Sequence, residues 1–414
     1  MKNLFRLIVL LFLTNFANSQ WGVSSYYDGS IIEVLDTNTI IVADKNGRII
    51  RTTNSGTHWQ LSIPFSSFRG TWFTDIHFPT KEVGYVSGGS YFGLPSILIK
   101  TIDGGQTWDS LSSSFSSGGN FYNAIHFINK DTGFLIGDNY NILMTTDGGV
   151  TLSYLVTGTS PLLYFSDIIF TKNNVGFVSA SESIIGTNKK SYSILKTTDL
   201  GQTFIPVYTD TMSGAVGFNN RVISKLFFFD NLNGYAVGGN GTFLKTTDGG
   251  NTWSSSSIAP YNPLSVVHFT SPTNGYINNA GGIYHTTDGG ISWSPQQINP
   301  VSTIYKIAFA NDSLGFALSD NAIYRTSNAG VLLNLKENSM LNIELFPNPT
   351  KGVFSLKTSE NKILNVTIMD LSGKELMNVS SNYSQIDISN FPSGIYFLAI
   401  TTEEGFATKK IIKN

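Results

Sequence analysis

One eight-residue pattern, Thr-Thr-Asp-Gly-Gly-x-Thr-Trp, recurs seven times and constrains this chain more than any other feature. The best copies are Thr101 to Trp108, Thr246 to Trp253 and Thr286 to Trp293. Weaker copies run Thr52 to Trp59, Thr145 to Leu152, Thr197 to Phe204 and Thr326 to Leu333. Their Asp or Asn falls at Asn54, Asp103, Asp147, Asp199, Asp248, Asp288 and Asn328, at spacings of 49, 44, 52, 49, 40 and 40. A fixed period of this size marks a repeat architecture, in which each unit needs its neighbours to bury its faces.

A second motif precedes the box. An apolar-x-Phe triple ends at Phe78, Phe127, Phe170, Phe228, Phe269 and Phe309, and Gly follows six residues later at Gly84, Gly133, Gly176, Gly234, Gly275 and Gly315. The residue two before the Phe is always apolar, so one face of this segment is buried in strand fashion. A first copy, around Ile32 to Val42, keeps the pattern without the Phe and Gly. One repeat therefore reads as four short strands, the size of a propeller blade. The box joins strands three and four. Its Asp or Asn is expected to accept backbone N–H groups two residues on, its Gly residues to allow positive φ, and its aromatic (Trp59, Trp108, Phe204, Trp253, Trp293) to pack on the adjacent sheet. A calcium loop is the rival reading of Asp-x-Gly, but the alternating carboxylates and final Glu are missing.

These residues resemble the Asp-box (BNR) repeats of bacterial neuraminidases, and most closely the photosystem II assembly-factor-like propellers. The resemblance covers about residues 21 to 335 and implies a seven-bladed ring. Such repeats serve hydrolases, receptors and assembly factors alike, so they imply no single activity. The segment Trp21 to Tyr27 looks like an orphan fourth strand that pairs with the last blade and closes the ring; the alternative is closure by Val331 to Leu335.

The ends of the chain speak of export. Lys2 and Arg6 precede the apolar run Leu7 to Leu13, and Ala17 and Ser19 are small residues suited to cleavage before Gln20, the pattern of a signal peptide over residues 1–19. The propeller is expected over 20–337. Residues 338–414 show short alternating runs between Pro, Gly and Asn turns, the pattern of a small Ig-like β-sandwich. This tail resembles the type A C-terminal sorting domain of the type IX secretion system through Phe346-Pro347-Asn348-Pro349, Gly352, the Ser-Gly-Lys turn at Gly373, and Pro-Ser-Gly394-Ile-Tyr396. The resemblance implies type IX machinery as a partner, and release to the medium or attachment at the cell surface. An ordinary adhesive β module is the alternative.

Composition narrows the function classes. Charged residues are 13% of the chain, the net charge is -2, and there is no Cys. Nucleic acid is not an expected partner, and disulfides, thiolate metal sites and a Cys nucleophile are excluded. No later segment has the length of a transmembrane helix, and no cofactor or metal is expected. His77, His126 and His268 share the slot before the Phe, but Ile169, Phe227 and Ala308 replace them in sister blades, so they read as packing residues rather than zinc ligands.

Insertions at Ser87 to Pro95, Leu111 to Phe121, Ala180 to Ser191 and Ile205 to Arg221 should open on the face away from the boxes. They carry Tyr91, Phe92, Phe121, Tyr208, Phe218 and Arg221, suited to a glycan or protein ligand, or else they are tolerated surface insertions. The mature chain holds five Arg (Arg48, Arg51, Arg69, Arg221, Arg325), and two of them are repeat residues, which leaves too few for a sialidase triad. Asp75 and Asp167, three before the Phe in blades two and four, are the best catalytic candidates, expected as exposed groups at strand starts. The reading is an exported, non-catalytic binding or scaffold propeller. The alternatives are a secreted carbohydrate-active hydrolase and a surface adhesin.

Overall fold

The computed structural model describes residues 20–414 apart from 64–70, 90–95, 112–121, 138–140, 156–162, 185, 188, 214–221, 259–261, 280, 300–301, 331–342, 359–361, 371–374 and 403–404. Residues 1–19, expected from sequence as a signal peptide, lie outside the described residues. The chain divides into two compact units, with the division between 331 and 332.

The first unit consists of seven sheets, six of them four-stranded and antiparallel and the last extended by a short parallel pairing of Trp21 and Gly22 with Ile298–Asn299. Their inner strands are Ile31–Val34, Trp72–His77, Tyr122–Phe127, Leu163–Phe170, Ile223–Phe228, Val267–Phe269 and Lys306–Phe309. Each inner strand packs on the next, and the seventh packs on the first, so the sheets close into a ring. Closure comes from the N-terminal segment. Trp21–Ser25 runs antiparallel to Ile323–Thr326 as the fourth strand of the last sheet, with Gly22 opposite Arg325. Trp21 is fully buried, its ring edge-on to Tyr276 and Phe309 at 6.5 and 5.7 Å.

The two sequence motifs have separate physical jobs. In the Phe…Gly motif the Phe ring lies flat over the Gly. A Cβ at Gly84 or Gly133 would stand 2.3 Å from the ring of Phe78 or Phe127, so only glycine allows that approach. In the box, the Thr hydroxyl is the hub. Thr145 Oγ1 donates to Asp147 Oδ1 at 2.8 Å and accepts the Gly149 amide at 2.8 Å. The Asp then accepts the amide four residues on, Thr151 at 2.9 Å, rather than one two residues on as expected from the sequence. Equivalent bonds hold at Asn54, Asp103, Asp199, Asp248 and Asp288. Asn328 accepts the Thr326 hydroxyl in the same way. The residue after the Asp takes positive φ even where it is not glycine: Ser55, Leu200 and Ala329. Box aromatics pack toward the preceding blade, as with Trp59 on Phe316 and Trp293 on Phe243, and Phe204 joins the core between blades three and four.

In five of the seven blades, all but those with Met144 and His285 in this slot, the residue before the box ties the blade to its successor. Arg51 Nε donates to Gly104 O, Lys196 Nζ to Gly249 O and Lys245 Nζ to Gly289 O. Arg325 Nε donates to Ser55 O at 2.7 Å, carrying the same device across the closure. Both arginines are thus repeat residues.

The second unit packs two sheets over one core. Ile343–Phe346, Val353–Thr358 and Ile386–Asp387 form one sheet; Glu375–Val379, Ile363–Met369, Gly394–Thr402 and Gly405–Lys413 form the other. Phe354, Val366, Ile368, Leu398 and Ile411 fill the space between them. Asn348, between Pro347 and Pro349, clamps the last strand: its Nδ2 donates to Lys410 O and its Oδ1 accepts the Ile412 amide. Gly352 abuts Ser389, Tyr396 donates its hydroxyl to Pro392 O, and Phe346 is half exposed. Gly373 lies outside the described residues.

The central channel as a candidate binding site

The inner strand of each blade has one edge bonded to the second strand and one edge facing the axis. Amides on the axial edge have no strand partner, and buried amides must be satisfied somehow. Side chains of the preceding blade supply acceptors. Two slots do this. The residue just before the Phe position takes the amide of the next blade's Phe: Glu33 Oε1 accepts Phe78 N at 3.4 Å and His77 Nδ1 accepts Phe127 N at 3.3 Å. The residue three before takes the amide two before the next Phe. Asp75 Oδ2 accepts Ile125 N at 2.9 Å, and Asp167 Oδ2 accepts Leu226 N at 2.8 Å.

A bulge in the inner strand makes this possible. Register shifts between Phe73 and Asp75, Tyr122 and Ala124, Phe165 and Asp167, and Ile223 and Lys225. The extra residue reverses the alternation. Phe73 and Phe165 therefore enter the cores between blades, while Asp75 and Asp167 turn toward the following blade, Asp75 lining the channel.

Asp75 and Asp167 thus lie within strands, and Asp167 is buried at 2% exposure, in place of the exposed strand starts expected from sequence. Asp167 also pairs with Lys225, Oδ1 to Nζ 2.9 Å. Burial pushes the Asp167 carboxyl above its ordinary value, against the pull of Lys225 and the Leu226 amide. Burial disfavours the Lys225 ammonium, but Asp167, Asp75 and Glu33 outweigh that and hold it protonated. Burial, with the nearby Asp75 charge, raises Glu33 to about 8.

The channel encloses about 320 Å³. Its histidines are neutral near pH 7. Burial lowers His77 and His268 to about 4 and takes His126 well below its ordinary value, with a contribution from His77. The His77 and His126 rings lie 4.2 Å apart, tilted by 41°, but His268 stands apart, between Phe227 and Phe309 at 5.0 and 5.5 Å. Among the described residues no group of three His, Asp or Glu is placed to hold a metal ion.

Of the six loop residues, Tyr91, Phe92, Phe121, Phe218 and Arg221 lie outside the described residues. Tyr208 is on no loop. It belongs to the fourth strand of blade four, Ile205–Ser213, half-buried against the core around Phe177 and Ile194. Two of the insertions are largely strand. Gly176–Ser183 and Lys189–Thr197 form one extended hairpin, and Ile205–Ser213 continues the sheet beside it. Arg48 is likewise committed, its Nε 2.5 Å from the buried Asp44. Sequence reasoning missed Lys225 and Lys306; the signal was there, because both occupy the slot of Asp75 and Asp167.

The ring of four-stranded blades with Asp-box turns defines a BNR-type propeller, and it is followed by a secretion-sorting β-sandwich. The chain belongs to the family described as photosynthesis system II assembly factor YCF48, which matches residues 63–146 and 213–337. Residues 344–414 match the secretion system C-terminal sorting domain. Among solved structures, YCF48 bound to D1 peptide superposes with TM-score 0.57 at 15% identity, covering 75% of this chain and 97% of that one. YCF48 from Cyanidioschyzon merolae gives 0.55 at 17%, covering 74% and 98%. The GH74 xyloglucanase from Xanthomonas campestris gives 0.58 at 12%, covering 92% of this chain and 59% of that one. At these identities the likeness is one of fold. No match was found among curated proteins. The sorting tail marks the chain for type IX secretion and implies export to the cell surface or the medium. Among the described residues no helix is long and apolar enough to cross a membrane.

Proposed function

We propose that this protein is an exported, non-catalytic binding or scaffold propeller. Residues 1–19 would be its signal peptide, 20–337 its functional body and 338–414 its removable sorting domain. The observation that carries the reading is the commitment of the two candidate carboxylates. Asp75 and Asp167 each spend an oxygen on an amide of the next blade, and Asp167 spends the other on Lys225. A glycosidase pair needs one carboxyl poised to give a proton and one free to attack or to activate water. Here both act as structural acceptors. Ligand recognition would then fall to the insertions that carry Tyr91, Phe92, Phe121, Phe218 and Arg221, with a glycan or a protein as the partner. The D1 peptide held by a YCF48 structure is a precedent for a polypeptide partner on this fold.

A panel of glycans and polysaccharides, assayed for binding and for reducing-end release, tests this. Binding without release is expected. Release that vanishes in Asp75→Asn and Asp167→Asn would make the protein a hydrolase. Truncation after Lys336 should keep the protein from the medium and the cell surface; normal delivery of the shortened chain would overturn the assigned role of the tail.

A further inference from the structure

We propose that the channel wall between blades seven and one is a binding site for a carboxylate, anchored by the Lys306 ammonium. This site is separate from the loop surface proposed above and does not depend on it.

Lys225 and Lys306 occupy the same slot, three before the Phe, in blades five and seven. Lys225 has a counterion because blade four places Asp167 in the corresponding slot. Lys306 has none. Its counterparts are Val266 in blade six and Ile31 in blade one, and among the described residues no carboxylate or carbonyl pairs with its Nζ. Asp75 and Asp167 favour this partly buried ammonium only from a distance, and a ligand anion is the direct partner that would complete it.

The neighbouring backbone adds donors. In the inner strand of blade one, the Leu35 amide bonds across the hairpin to Thr39 O. By antiparallel alternation the amides of Ile32 and Val34 then point to the axis. At three junctions, one to two, two to three and four to five, such amides are met by Glu33, by Asp75 and His77, and by Asp167; blade five, with Lys225 and Phe227 in the same slots, offers no acceptor, but its lysine is already paired with Asp167. Blade seven offers Lys306 and Ala308 in those slots, and neither side chain accepts. Two amides and an ammonium therefore line this part of the channel with no acceptor offered by blade seven, the donor set of a carboxylate site.

The surroundings set the ligand class. A space of about 320 Å³ admits a small molecule or the end of a chain. Ile31 and Phe309 and the neutral His268 line it, favouring an apolar or planar body. Asp75 lines the same channel, and its charge and that of the nearby Asp167 repel a second negative charge on a ligand, which selects a monocarboxylate over a phosphate. Burial and the Lys225 charge lower the free Lys306 ammonium, and a bound carboxylate would raise it again.

Calorimetry of the purified protein with benzoate, benzamide and phenyl phosphate tests the site, and N-acetylphenylalanine tests whether a peptide-like terminus binds better than a free acid. We expect benzoate to bind at least tenfold tighter than benzamide or phenyl phosphate. Lys306→Met should lose at least tenfold in benzoate affinity while melting no earlier than wild type. Equal binding of benzoate and benzamide, tighter binding of phenyl phosphate, or full affinity in Lys306→Met would overturn the proposal. Should that variant not fold, wild-type protein with 13C-labelled lysine gives the answer. A lysine Cε signal that titrates below the ordinary lysine range should move up in pH with benzoate; no such movement means no such site.

Discussion

The box turns and the axial edges of the inner strands face the same physical problem, unpaired backbone amides at the ends and margins of short strands, and they meet it in opposite ways. Each box uses the same hydroxyl–carboxyl or hydroxyl–amide pair, Thr with Asp or Asn. The channel uses a carboxylic acid at one junction, a carboxylate and a histidine at the next, an ion pair further round, and an uncompensated lysine at the closure. Uniform repetition goes with a structural task, because every blade needs the same turn. Departure from repetition marks the places where an identical solution was not required and where a ligand can take part.

The sharpest way to break the ring that both regions share is Trp21→Ala. It empties a fully buried ring site at the closing strand and should cost about 3–5 kcal/mol in denaturant unfolding. Next comes Asp167→Ala, which strands Lys225 and the Leu226 amide in the channel and should cost about 3 kcal/mol. The double variant with Lys225→Met should recover part of that, and a purely additive cycle would show that the pair is not coupled. Removing one box hub by Thr145→Val leaves the Gly149 amide without its acceptor and should cost about 1–3 kcal/mol; a loss no larger in this blade than for an exposed Thr would contradict the hub role.

The smallest effect is the pH dependence that separates the two regions. Glu33 in the channel is raised to about 8, so the folded state holds a proton that the unfolded chain gives up near 4.5. That contribution is fully present below pH 4.5 and is lost as pH rises to 8, on the order of 1 kcal/mol once channel water screens it. Glu33→Gln should flatten stability over this window. His77 and His268, lowered to about 4, act in the other direction: their contribution is present above pH 6.5 and is lost as pH falls toward 4. The boxes respond in a different range. Hydrogen bonds from Thr151 and Thr203 hold Asp147 and Asp199 at about 2, so their contribution is present above pH 4 and is lost as pH falls through 2. Melting curves from pH 2 to 9 for wild type and Glu33→Gln distinguish the two.

The blade count, the strand order within a blade and the sandwich nature of the tail were legible because each is written locally and repeatedly, in Phe…Gly spacing, box residues and alternating runs. Asp75 and Asp167 were legible as a shared slot but misjudged in environment. A bulge one residue upstream reverses which face a side chain takes, and nothing in the alternation of Trp72 to Phe78 announces it. Lys306 shows the same limit. Its slot is readable, but whether a lysine has a counterion depends on residues about 40 positions away in the preceding blade and some 275 away in the first.

By itself, then, the sequence determined the repeating unit, because turn chemistry and strand alternation are short-range properties of neighbouring residues. Only the tertiary structure decided how the ring closes and what the axis contains. Closure pairs residues some 300 apart, Gly22 with Arg325, and the channel is lined by residues from each of seven blades. Their charges settle only when burial and all the neighbours are set together.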